Sequence, residues 1–164
     1  MPPGRTECHT VTVSVQFVTV GEGVRAWVRT AAGGQAPPRL CIGTAVSHTG
    51  VPVGMFEAKI VAEDLLDAAD RADRLQERID AIPGTDDEVL RAMVVQAAEA
   101  ERSRQAMAVY TLPLRALTVI CPQDRQAEVT VTTGHLKAAL SPADARELAG
   151  ELLLSAVNTW PLSR

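Results

Sequence analysis

Between Val61 and Ile82 the apolar residues fall at Val61, Leu65, Ala68, Ala72, Leu75, Ile79 and Ile82, in steps of 4, 3, 4, 3, 4 and 3. A backbone with about 3.6 residues per turn gathers such a series into one stripe. The pattern therefore predicts a long helix over about 57–81 whose seam lies along another helix. Pro83-Gly84 stops it. Thr85-Asp86-Asp87-Glu88 then starts a second helix. Here Thr85 is the expected cap, with Glu88 reaching back to it, and the acids suit the positive end of the helix dipole. That helix is expected to run to about residue 109, with Leu90, Met93, Ala97 and Ala100 on one stripe. A short connection between two such helices implies an antiparallel hairpin over 57–109, and alanine at its seam would let the backbones come close.

The flanking sequence has a different period. Val11, Val13, Val15 and Phe17 alternate with Thr10, Thr12, Ser14 and Gln16, the two-residue rhythm of a half-buried strand. Val18 and Val20 break the phase and suggest a bulge there. Gly21-Glu22-Gly23 provides a turn into a second strand over 24–30, and further strands are expected over 39–46 and 51–55. After the hairpin, 114–121, 127–133 and 135–140 read as three more strands, with a turn at Pro122-Gln123-Asp124. Ser141-Pro142 is a strong helix start, serine capping and proline in the first turn, and the last helix is expected to reach about residue 157.

The fold class that follows is α+β. A mainly antiparallel sheet surrounds a long antiparallel helical hairpin, inserted between two related β-β-α units, with a C-terminal helix. At an offset of 87 residues, His48 meets His135, Ala58 meets Ala145 and Ala62 meets Ala149, while Leu65-Leu66 meets Leu152-Leu153. This alignment suggests one strand–turn–strand–helix unit used twice, over 39–70 and 126–157, inside a single domain spanning 1–164, with the helices of the two units side by side under a shared, mainly antiparallel sheet. The segment Leu140-Ser141-Pro142-Ala143-Asp144-Ala145-Arg146, a Leu-Ser-Pro-x-x-Ala-Arg helix start, resembles one found in small uncharacterised proteins of high-GC actinobacteria and their phages. The resemblance implies a source and brings no activity with it.

Composition excludes several classes. With 46% hydrophobic and 22% charged residues the chain is an ordinary globular one, and its 3% aromatic content means a core of aliphatic side chains. The N-terminus has no apolar segment of a secretory signal, and no run approaches the roughly 20 apolar residues of a membrane span. Cys8, Cys41 and Cys121 are odd in number and widely spaced, which suits free thiols rather than a disulfide framework. The expectation is a cytoplasmic protein. Charge is uneven: residues 57–109 hold 7 basic against 13 acidic groups, while residues 1–56 hold 4 basic against 2 acidic. Any nucleic-acid contact is thereby confined to the N-terminal sheet.

Chemistry-bearing patterns are sparse. There is no P-loop, dinucleotide fingerprint or nucleophile elbow, so no cofactor is expected. The histidines at 9, 48 and 135 lack ligand spacing, so no metal site is expected either. Arg25, Trp27 and Arg29 alternate on the second strand and so share one sheet face. Guanidinium charge beside an indole suits single-stranded nucleic acid, or an acidic protein partner. On the first long helix Glu63, Asp67, Asp70, Asp73, Glu77 and Asp80 make an acidic stripe. Arg71, Arg74 and Arg78 interleave with it, which predicts local ion pairs on a solvated face. The final helix is apolar on more than one side, and Leu152, Leu153, Leu154 and Val157 are the candidate interface. These features favour a non-enzymatic interaction or regulatory protein, an accessory or phage-related one, acting as a homodimer or on another protein. The alternatives are a nucleic-acid-binding module using Arg25, Trp27 and Arg29, and a small enzyme with a scattered site.

Overall fold

The computed structural model describes residues 8–19, 22–31, 39–44, 48–52, 55–108, 115–133 and 136–159, and the side chains of 56–108, 115–132 and 138–154. Four strands, β1 (Cys8–Thr19), β2 (Glu22–Ala31), β3 (Arg39–Thr44) and β4 (His48–Pro52), form an antiparallel sheet in chain order. Helices α1 (Met55–Asp80) and α2 (Asp87–Ala106) follow. Then β5 (Arg115–Cys121), β6 (Gln126–Thr133) and β7 (Leu136–Leu140) form a second antiparallel sheet, also in chain order, and α3 (Pro142–Thr159) closes the sequence. The protein is therefore α+β, with the helical hairpin between two sheets and a helix at the end. No helix among the described residues is long and apolar enough to cross a membrane.

Most elements stand within two residues of their expected bounds, and the differences have local causes. The irregularity in β1 falls between Val11 and Val15, where the pairing with β2 shifts; Val18 and Thr19 stay in the ladder opposite Gly23 and Glu22. The α2 cap is Asp86 rather than Thr85. Its carboxylate accepts the Val89 N–H at 3.4 Å, while its own N–H donates to the Pro83 carbonyl at 3.0 Å, which leaves Thr85 inside the turn. At α3 the expected cap holds: the Asp144 N–H donates to Ser141 Oγ at 3.1 Å. Helices α1 and α3 begin at Met55 and Pro142, residues related by the same offset that aligns the two sequence units.

The heptad stripe of α1 is the centre of the core, but α2 is not its partner. Val61, Leu65, Ala68, Ala72 and Ile79 are fully buried, and α1 packs along α3 and across β5 and β6. Alanines allow this approach: Ala58, Ala62 and Ala69 on α1 and Ala145 and Ala149 on α3 are all buried. Short side chains let two helix axes approach the low end of the usual 8–10 Å. From the sheet, Val129, Val131, Ala138 and Leu140 close the core.

Polar contacts fix α1 against the edge of the sheet. Thr118, buried on β5, donates its hydroxyl to the Ala68 carbonyl at 2.8 Å. Gln76 grips the β5–β6 turn, accepting the Ala127 N–H at 2.7 Å and donating to the Arg125 carbonyl at 3.0 Å. Arg125 has φ 52, a left-handed backbone unusual for a residue with a side chain. Its Nη2 donates to the carbonyls of Ile82 at 2.9 Å and Ile79 at 3.4 Å. A cation on a carbonyl of the last turn of α1 and on one just beyond it is favourable there, and the contact holds the turn in its strained shape.

Candidate functional site

Among the described residues the acidic stripe of α1 forms no ion pair with the arginines of its own helix, although the spacing suggests that it would. Asp80 accepts from Gln76 Nε2 at 2.9 Å, and two other members reach to another element. Asp70 and Asp73 both bind Arg146 of α3, the Asp70 contact at 2.9 Å. Those two hydrogen bonds hold the Arg146 guanidinium above its ordinary pKa. On the opposite side Arg71 Nε donates to Glu101 Oε1 of α2 at 3.0 Å, with side chains only 12% and 9% exposed. Arg104 Nε stands 3.9 Å from Glu101 Oε2. Buried Arg71 Nη2 and Glu101 Oε2 have no hydrogen-bond partner among the described residues.

This ion pair stands where α1, α2 and β5 meet, and three cavities open onto Glu101. The first, about 440 Å³, lies between α1 and α2; Arg71, Arg74, Arg78 and Arg104 surround a floor that includes Leu75, Met93 and Ala97. The second, about 400 Å³, lies between α2 and β5, walled by Val94, Ala97 and Ala98 and by Leu117, Val119 and Ile120. The third, about 80 Å³, is bordered by Asp64 and Arg115. Asp64 accepts the Ala116 N–H at 3.0 Å. Burial pushes its carboxyl above the ordinary value, opposed by that hydrogen bond and by the charge of Arg71, and assisted by Glu101 and Asp67.

The outer edge of β5 belongs to this region, because β5 is the terminal strand of its sheet. The Ala116 N–H turns away from β6 towards Asp64. The two-residue period of an antiparallel strand puts the N–H groups of Thr118 and Ile120 on that same edge. An open strand edge beside an apolar groove can accept a further strand, while guanidinium groups around an apolar floor can hold an anion.

The residues singled out in the sequence lie elsewhere. Arg25, Trp27 and Arg29 occupy alternate positions of β2, facing Gly43, Cys41 and Arg39 of β3 in the ladder; their side chains lie outside the described residues. Leu152 is fully buried in the core, Leu153 packs partly buried against it, and Leu154 is 58% exposed. The side chain of Val157 is outside the described part. At the β5–β6 turn the ligand atoms of Cys121, Asp124 and Glu128 lie within 4.8 Å of one another, a grouping of cation-ligand types formed by folding rather than by sequence spacing. Burial, and then the charge of Asp124, raise the Glu128 carboxyl above its ordinary value.

Glu101 gave no signal in the sequence. It sits one residue after the Ala97–Ala100 stripe, and a lone glutamate on an alanine-rich helix is indistinguishable from a solvated one. Arg74 and Arg78 were visible, but only as partners of the acids around them. In comparisons with known proteins, no family model, no curated protein and no solved structure matches this chain.

Proposed function

We propose that this chain is a non-enzymatic interaction protein that acts as a homodimer through the outer edge of β5 and the face of α2 beside it. The observation that carries the reading is the outer edge of β5, unpaired with any strand among the described residues, running along an apolar groove of about 400 Å³. Two copies of one strand edge, related by a two-fold axis, pair antiparallel and are self-complementary. Val119 lines the groove and is itself exposed, so it can be changed without opening the core. The test is light scattering on the eluting protein. The expected result is a particle of twice the 17.5 kDa chain mass that Val119→Lys converts to monomer. A monomer at every concentration, or a dimer indifferent to that change, would sink the reading.

A second reading, binding of single-stranded nucleic acid, draws support from the strand register. Arg29 lies opposite Arg39, Arg25 opposite Gly43, and Gly43 opposite His48. Residues directly opposite share a sheet face, so Arg39 and His48 join the face of Arg25, Trp27 and Arg29. The described positions of β2, β3 and β4 on that face include no Asp or Glu. A labelled oligonucleotide should then bind at low salt, weaken steeply as salt rises, and be lost in the Arg25→Ala, Arg29→Ala double variant. Absence of any shift at low salt would remove this reading.

A further inference from the structure

The groove between α1 and α2 reverses the charge of the region that forms it. Residues 57–109 carry 7 basic against 13 acidic groups, yet around this groove stand Arg71, Arg74, Arg78 and Arg104, with Glu101 the one acid among the described residues that line it. The reversal follows from the ion pairs. The acids at Asp70 and Asp73 are drawn to Arg146 on the α3 side of α1. The arginines at 71, 74 and 78 recur at helical spacing along the other side. Glu101 is engaged by Arg71, with Arg104 at the edge of its reach. Arg74 and Arg78 have no ion pair among the described residues. Like charges gathered along one groove hold a positive potential there, and an anion placed among them is attracted to it.

The floor adds a second requirement. It is apolar, including Leu75, Met93 and Ala97, so a simple inorganic ion would leave it wet. The volume, about 440 Å³, is that of a small-molecule site and falls within the roughly 300–1,000 Å³ typical of one. Guanidinium offers a planar fork that fits carboxylate and phosphate oxygens alike.

We propose that this groove binds a small organic anion, its phosphate or carboxylate head held by Arg74, Arg78 and Arg104 and its apolar body on the Leu75–Met93–Ala97 floor. The groove shares Ala97, Glu101 and Thr118 with the one beside β5, but binding an anion there needs no second copy of the chain.

The test is thermal melting of the full chain with phenyl phosphate, benzoate, inorganic phosphate or phenol. At about ten times its dissociation constant, phenyl phosphate or benzoate should raise the melting temperature by about 3–5 °C. The better of the two identifies the head group, and high salt should reduce the shift. Inorganic phosphate and phenol should each give less than about 1 °C, since each lacks half of what the groove recognises. Arg74 and Arg78 are exposed, so the Arg74→Gln, Arg78→Gln double variant should melt like the parent without ligand and lose the shift. Arg104→Gln offers a second variant with the same expected loss, and Arg91→Gln, away from the groove, should keep the shift. No shift with either aromatic anion, an equal shift with inorganic phosphate, or a shift that survives both groove variants would overturn the proposal.

Discussion

Helices α1 and α2 have similar rhythms but are held in opposite ways. Along α1 the stripe is filled by Val61, Leu65 and Ile79, which are fully buried, and α3 and the sheet close over it. Along α2 only Leu90 and Met93 are buried apolar groups; Ala97 is half-buried and Ala100 exposed. Alanine is too short to fill the space under a helix, so voids of about 440 and 400 Å³ remain on its two sides. Protein interiors pack at the density of organic crystals, and a helix flanked by such voids forgoes much of the dispersion energy that holds α1. Beside the contacts of Leu90 and Met93, α2 is held by a polar one, the Arg71–Glu101 clasp. Period determines that a helix forms; side-chain volume determines how firmly it docks.

The largest expected effect tests that contrast directly. Leu65→Ala removes a fully buried side chain of the core and should cost about 3–4 kcal/mol in urea unfolding, the transfer and cavity terms together. Met93→Ala on α2 should cost about 1–2 kcal/mol, because Met93 already borders open space and little new cavity is created. Equal losses would mean that α2 is packed as tightly as α1.

Next in size is the clasp. Glu101→Ala leaves Arg71 largely buried without its carboxylate. Breaking a fully buried pair costs about 3–5 kcal/mol; solvent reaches the edges of this one, and about 2 kcal/mol is expected. The sharper readout is amide hydrogen exchange: α2 amides should lose protection while those of α1 keep theirs, as for a unit that opens on its own. Loss of protection in both helices together would show that they unfold as one.

The same contrast explains what could be read in advance. The α1 stripe, the Ser141 cap and the two-residue alternation of the strands are local signals, and each element appears near its expected place. On which surface covers the α1 stripe the sequence points two ways: the short connection favours α2, while the 87-residue offset puts α3 beside α1. Alanine seams on both look alike until the chain closes, and α3 took the close approach. The acidic stripe misled for a related reason. Helical spacing permits Asp70 to meet Arg74, but the contact to Arg146 across the α1–α3 boundary wins. The Asp64 clasp on Ala116 and the strained Arg125 turn depend on residues 43 to 52 apart in the chain, the cavity floor on residues of two different helices, and no periodicity encodes them.

The smallest effect concerns Asp64, which ties α1 to the open edge of β5 near where α2 sits. Its carboxyl is raised above the ordinary 3.8, chiefly by burial. Between the unfolded and folded values the native chain holds more protons than the unfolded chain, so this group favours folding fully only below the unfolded value. Its contribution falls as pH rises and is gone above the folded value. Asp64→Asn keeps an oxygen that can accept the Ala116 N–H and removes the charge. The variant should match or exceed the parent in urea midpoint at neutral pH, and the gap should close on acidification through the weakly acidic range. Subtracting the two pH profiles cancels the other titrating carboxylates, including the raised Glu128. A parent that gains on the variant as pH rises would mean that attraction to Arg71 outweighs burial. The Arg71–Glu101 clasp would then be a three-member network extending to β5, and α2 would be tied to the sheet through charge more firmly than its packing indicates.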